Sequence, residues 1–159
     1  FIQEGKDLGE RMKSTFSARF AEGYEHVDID KRIVGWSRRG FFEKRVDAAI
    51  SRPDSYVVVG AVDGTTLVGY AIARIHGGDF GTTGRTAALD AVGVDPRAQA
   101  KGVGKLLMDA LDDVLRKKDV HEIRTQADWH FHGLMKYFDA MGFEVAPAHI
   151  LERPSSQNI

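Results

Sequence analysis

The sequence predicts a single mixed α/β domain, and three observations carry that reading. Two β-rich runs, Tyr56 to Val62 and Thr66 to Ile75, are joined through Asp63-Gly64, the strongest short hairpin signal in the chain. A third run, Arg85 to Val94, leads through Asp95-Pro96 and a glycine-bearing loop into a helix. That helix carries Val103, Leu106, Leu107, Ala110, Leu111, Val114 and Leu115 at helical spacing, so the apolar period changes there from that of a strand to that of a helix. A length of 159 residues suits one such domain, large enough to bury roughly 70% of its unfolded surface.

Taken in order, Phe1-Ile2-Gln3 reads as the end of a first strand, and Leu8, Met12, Phe16 and Phe20 as the apolar stripe of a first helix. Glu22 to Lys31 is polar and reads as a loop. A second helix spans Val34 to Ile50 and is stopped by Ser51-Arg52-Pro53-Asp54, since proline cannot continue it. The hairpin follows. His76 to Gly84, with Gly77, Gly78, Gly81 and Gly84, is a flexible turn, and Arg85 to Val94 is the next strand. Gly93 inside that strand marks a bulge or a close backbone approach. After the long helix, which ends near Lys117-Lys118-Asp119, Glu122 to Ala127 reads as a short strand. Phe131 to Met141 reads as a helix closed by Gly142-Phe143, with glycine suited to the left-handed position past its end. Residues 155–159 are a tail to a domain of residues 1–154.

The loop between the third run and the long helix is the stretch that carries chemistry. In Gln99-Ala100-Lys101-Gly102-Val103-Gly104 the glycines stand where the first helical N–H groups have no partner inside the helix. Those donors and the positive end of the helix dipole form an anion site, with Lys101 and Lys105 adding charge. A P-loop would need glycine at Gln99 and Ser or Thr at Leu106, and a dinucleotide fingerprint from Gly102 would need glycine at Leu107; both fail.

What remains resembles motif A of the GCN5-related N-acetyltransferases (GNAT), the Gln/Arg-x-x-Gly-x-Gly/Ala loop that binds the pyrophosphate of acetyl-coenzyme A. Val94-Asp95-Pro96 resembles the family's entry to that loop, Leu67-Val68-Gly69-Tyr70-Ala71 its frequent strand, and helix, Gly142-Phe143, strand its signature near the end. His149 to Pro154 resembles the closing strand of many bacterial members. The resemblance implies a mixed, mostly antiparallel sheet flanked by helices in the order β-α-α-β-β-β-α-β-α-β. It implies that the first two helices border the acceptor, and that Val92, Gly93 and Val94 offer main-chain groups to the pantetheine arm where strand four bulges and parts from strand five. Gln99, Ala100, Lys101, Gly102, Val103, Gly104 and Lys105 would hold the pyrophosphate. The implied activity is transfer of acetyl from acetyl-CoA, as co-substrate, to a primary amine of a small molecule or peptide. A homodimer is implied by frequent dimerisation in the family and by the apolar closing strands.

Such a transfer needs a neutral amine, and a lysine-like amine of pKa about 10.4 is neutral in about one molecule in 2,500 at pH 7. Asp90 is the best candidate base, because strict alternation puts it on the face of Val92 and Val94; an acceptor-binding carboxylate or an exposed strand residue are its other readings. His76 is the second candidate, against a solvated loop histidine. For the acid, the family's tyrosine, four residues before the glycine of Gly-Phe, is replaced by Phe138, and the tyrosine stands at Tyr137. An offset of one residue turns a helical side chain by ~100°, so Tyr137 is an acid only if the helix is placed differently, and core packing is its other use.

Composition excludes several classes. With 22 Lys and Arg against 23 Asp and Glu, scattered along the chain, no basic field for nucleic acid exists. Without cysteine there is no disulfide framework, thiolate zinc site or thiol nucleophile, and direct attack with both substrates bound is expected. Asp128, His130 and His132 lack a further ligand at metal spacing, so no metal is expected. No apolar run reaches membrane-spanning length and residues 1–4 lack the features of a signal peptide, which together point to the cytoplasm.

Overall fold

The computed structural model describes residues 2–4, 38–77, 84–98, 101–127 and 132–155. The helix expected from Leu8, the loop of residues 22–31, the start of the second helix and most of the glycine-rich turn lie outside them. Among the described residues the chain forms β1 (Ile2–Glu4), α1 (Arg38–Ser51), β2 (Tyr56–Asp63), β3 (Thr66–Gly77), β4 (Arg85–Val94), a 3-10 turn at Pro96–Ala98, α2 (Val103–Lys117), β5 (Ile123–Arg124) and α3 (His132–Ala140). The strands make one five-stranded sheet in sequential order. Pairs up to β4 are antiparallel, and β4 with β5 is parallel. The sheet is therefore mixed and mostly antiparallel.

The hairpin closes through Gly64 and Thr65, with Asp63 opposite Thr66 and Gly64 at φ +61°, a left-handed conformation that glycine adopts without a Cβ clash. Apolar residues on alternate positions then divide between two layers. Val57, Val59, Ala71, Leu89 and Val92 pack with Leu107, Leu111 and Leu115 of α2 and Phe138 of α3. Val62, Leu67, Tyr70, Ile72 and Ala91 pack with Val46 of α1 on the opposite face. Along α2 the buried side is Leu107, Met108, Leu111 and Leu115, whereas Leu106, expected in the stripe, is half exposed.

Two bulges shape the sheet. On β3, Ala61 opposes Gly69 and Val62 opposes Leu67, so Val68 is extra and its carbonyl accepts a hydrogen bond from Asp95 N at 2.7 Å. On β4, Ile72 opposes Ala91 and Ala73 opposes Leu89, so the extra residue is Asp90. The bulge expected at Gly93 is thus displaced to Asp90. Gly93 instead answers to close approach: a Cβ there would lie 2.5 Å from Cε1 of the buried Tyr70 ring.

Both later helices end as expected. Past α2, Asp119 takes φ 58° while Val120 N bonds to Leu115 O, and past α3, Gly142 takes φ 86° while Phe143 N bonds to Phe138 O. The Phe143 and Phe138 rings pack with centroids 5.1 Å apart across the second cap. The expected strand over Glu122 to Ala127 is cut to Ile123–Arg124, and His149 to Pro154 forms no strand. A ladder needs a partner edge, and with Ile150 and Leu151 adjacent, no single sheet face could bury both; both are exposed. No helix among the described residues is long and apolar enough to cross a membrane.

Because the Gly93 contact is with the near edge of the Tyr70 ring, Gly93→Ala should lower unfolding free energy by about 1–3 kcal/mol. In a Tyr70→Ala background the same substitution should cost much less. Urea titration of the four proteins in this cycle measures the coupling, and equal costs in both backgrounds would show that the ring is not what excludes a side chain at Gly93.

Candidate functional site

The end of β4 is locked before the loop begins. Asp95, 2% exposed, accepts hydrogen bonds from Arg97 N at 2.9 Å and from the Arg97 guanidinium at 3.3 and 3.2 Å, while Ala98 N bonds back to Asp95 O. Gln99 and Ala100 lie outside the described residues. Lys101 and Gly102 are exposed, and Gly102 caps α2 at φ 79°, ψ 8° with no side-chain capping bond. The first α-helical bond runs from Leu106 N to Gly102 O, so the N–H groups of Val103, Gly104 and Lys105 project from the helix end with no carbonyl of the helix to receive them. No acidic residue sits in the first turn, and nothing lies within 4 Å of where a Gly102 Cβ would be. An open, uncapped, uncountered helix N-terminus fits a diphosphate.

The two glycines of this loop serve different ends. Gly102 borders open space, but a Cβ on Gly104 would lie 2.6 Å from Tyr137 Cε2. Gly104 therefore admits an aromatic ring rather than a phosphate. The Tyr137 hydroxyl donates to Gly104 O at 2.8 Å, tying α3 to the first turn of α2. On the sheet side, a Cβ on Gly69 would meet Leu107 Cδ1 at 3.0 Å and Val103 Cγ1 at 3.1 Å, so this glycine lets α2 lie close to β3. Burial pushes the Tyr137 hydroxyl well above its ordinary value of 10.0. Lys105 turns along the helix to Asp109, Nζ to Oδ2 2.9 Å, and that hydrogen bond and charge raise the affinity of its amine for a proton.

Beyond the loop, β4 and β5 pair only at Ala87–Ile123 and Ala88–Arg124. The Thr125 hydroxyl donates to Leu89 O at 3.1 Å, and pairing between the two chains stops there. Asp90 is the next residue on β4, the bulged one. The bulge turns it away from Val92 and Val94, which pack in the α2 layer, and toward α1; the expectation from strict alternation is corrected by the extra residue. Arg45 Nη1 of α1 lies 3.1 Å from Asp90 Oδ2, outside hydrogen-bonding alignment, and Arg74 Nη2 of β3 lies 3.9 Å from Oδ1. His76 is a half-buried residue of β3 opposite Thr86 rather than part of a loop. Among the described residues no three metal-ligating side chains cluster.

Strand β4 thus parts from its parallel neighbour just before its bulge and leads into an open helix N-terminus. The model of the acetyltransferase (GNAT) family matches residues 17–143. The chain belongs to that family. No curated protein sequence matches it. Among solved structures, the GNAT fold recurs in the aminoglycoside N-acetyltransferase AAC(6')-Iy in complex with CoA, at 17% identity, TM-score 0.72, and coverage of 98% of this chain and 95% of that one. It recurs in a glucosamine-6-phosphate N-acetyltransferase from Arabidopsis thaliana, at 14% identity, TM-score 0.66, and coverage of 96% and 97%. A ribosomal-protein-alanine N-acetyltransferase from Brucella melitensis biovar Abortus 2308 is similar at 15% identity, TM-score 0.66, and coverage of 96% and 99%. At these identities the likeness is one of fold.

Within this GNAT chain the structure brings Lys101, Gly102, Val103, Gly104, Lys105 and Tyr137 together at one end of α2, and sets Asp90 apart at the parting of β4 and β5. Reading the sequence missed Arg45, Arg74 and Thr125, none of which stands in a motif. The Tyr137 proton provides a check on the clamp. The folded chain keeps a proton that the unfolded chain gives up above about pH 10, so stability tied to it is complete below that pH and is lost as pH rises toward the shifted value. Tyr137→Phe should remove that alkaline part of the decline, and should cost about 1 kcal/mol at neutral pH for the lost hydrogen bond. Denaturant titrations from neutral to alkaline pH measure both, and parallel pH profiles for the two proteins would refute the clamp.

Proposed function

We propose that this GNAT protein is an acetyl-CoA-dependent N-acetyltransferase that acetylates a primary amine of a small molecule or peptide by direct attack with both substrates bound. The observation that carries the reading is the uncapped N-terminus of α2 following the end of β4, the strand that parts from β5 past Leu89. Family neighbours solved with CoA, and with a CoA-acetylneamine bisubstrate analogue, support it. Their names span aminoglycosides, a sugar phosphate and a protein alanine, so the fold alone does not name the acceptor.

In this reading acetyl-CoA supplies the activated thioester, and the chain supplies the rest. The N–H groups of Val103, Gly104 and Lys105, with Lys101, hold the diphosphate; Gln99 and Ala100 complete the loop. Main-chain groups of Val92, Gly93 and Val94 hold the pantetheine arm and polarise the thioester carbonyl. Asp90 takes the proton of the attacking amine from the α1 side, directly or through water, with Arg45 holding its carboxylate. Tyr137 acts by holding the loop, since its hydroxyl proton is engaged by Gly104 O. A second reading, a non-catalytic acyl-CoA-binding or sensing module, draws on the same engagement of Tyr137 and on the Asp90–Arg45 pair. Turnover of acetyl-CoA with any amine separates the two.

Gly102→Glu should weaken coenzyme A binding by about a hundredfold or more, through like-charge repulsion at the diphosphate, whereas Gly102→Ala shares the backbone strain at φ 79° and should lose far less. Calorimetric titration of both variants decides it: unchanged affinity in a folded Gly102→Glu protein would take the loop out of the site. Asp90→Asn should lower kcat/KM about a hundredfold near neutrality, with the deficit shrinking as rising pH deprotonates the amine unaided. A variant that is less stable but keeps the parent's rate and pH profile would make Asp90 an anchor for Arg45 alone.

A further inference from the structure

Beside Asp90, the α1 side of the sheet carries two arginines, Arg45 and Arg74. Arg74 stands in register between Tyr56 on β2 and Ala88 on β4, two positions beyond Ile72, so its side chain rises on the α1 face. Among the described residues its one ionic contact is the 3.9 Å approach to Asp90 Oδ1, too long for a hydrogen bond. Asp90 is already met by Arg45 at 3.1 Å. Across the row, Arg52 lies over the Tyr56 ring, with Cζ 5.0 Å from the centroid. The neighbouring Ala88 is too small to cover Arg74, whose side chain is 45% exposed. A guanidinium with donors to spare is thus held on a strand, one alternation from the residue at the parting of β4 and β5.

The geometry points to Arg74 as an acceptor-selecting residue: the favoured acceptor is a primary amine that also carries an oxyanion, carboxylate or phosphate, which Arg74 binds. This rests on acetyl transfer at the β4–β5 parting. Arg74 Nη2 and Asp90 Oδ1 stand 3.9 Å apart, so a spacer of two or three carbons lets the amine reach Asp90 while the oxyanion meets the guanidinium fork. The oxyanion meets the Arg74 charge without occupying Asp90.

The test is a matched set of acceptors, ethanolamine, β-alanine and 2-aminoethyl phosphate, with thiol release from acetyl-CoA as readout. The two anionic amines should be favoured over ethanolamine by about tenfold or more in kcat/KM, and Arg74→Gln should erase that preference through KM while leaving ethanolamine and the KM for acetyl-CoA within about twofold. The better of the two anionic amines identifies carboxylate or phosphate. Ethanolamine turned over as well as both anionic amines, or Arg74→Gln lowering all three alike, would overturn the assignment while leaving acetyl transfer standing. If no amine is turned over, acetyl transfer itself is in question. Calorimetric titration of 2-aminoethyl phosphate and of β-alanine into the protein saturated with coenzyme A then decides for Arg74: binding lost in Arg74→Gln supports it, and absence of binding to the parent overturns it.

Discussion

Everything at the candidate site depends on how closely the first turn of α2 can approach its neighbours. On one side the helix lies against β3, where Gly69 leaves room for Val103 and Leu107. On the other, the Tyr137 ring lies against Gly104 and its hydroxyl bonds to Gly104 O. With both sides held, the first turn of the helix stays in place, and Gly102 offers no side chain to cap its unpaired N–H groups. The turn that entropy and hydrogen bonding would otherwise fray is kept open by packing, which is the condition for a preorganised anion site. Phe138 takes the core position against Phe143, and its neighbour Tyr137 falls on the side facing α2.

The second organising feature is the extra residue at Asp90. Without it, strict alternation would place the carboxylate among Val92, Val94 and the apolar side of α2, where an ionised group has no compensation. The bulge moves it to the α1 side, within reach of Arg45 and Arg74, and does so just past the point where Thr125 closes the β4–β5 pairing. Charge, bulge and strand separation thus coincide in three or four residues. That coincidence places polar chemistry at the parting, with the open helix start beyond the end of the same strand.

The sheet also shows where local pattern ceases to be sufficient. Ile123–Arg124 is all that pairs of a longer β-like run, because β4 offers its free edge only as far as Leu89 before the bulge. His149 to Pro154 has strand-like composition but no ladder, and a β-rich run without a partner edge stays irregular.

By itself the sequence determined the elements whose cause is local. The β2–β3 hairpin follows from Asp63-Gly64, β4 from its apolar run, α2 from its 3.6-residue period, and the end of α3 from Gly142. It also pointed to the loop, because a strand-to-helix junction leaves the first helical N–H groups without partners whatever the tertiary packing. Only the tertiary structure decided what each polar side chain faces. A single extra residue in β4 reversed the side of Asp90, and packing rather than propensity gave Gly93 to the Tyr70 ring and Gly104 to Tyr137. Arg45 and Arg74 reach Asp90 from elements far apart in the chain, so no spacing could reveal them. Periodicity reports which residues share a face while the register is regular; bulges and long-range contacts are decided by the fit of whole surfaces, which a local pattern does not contain.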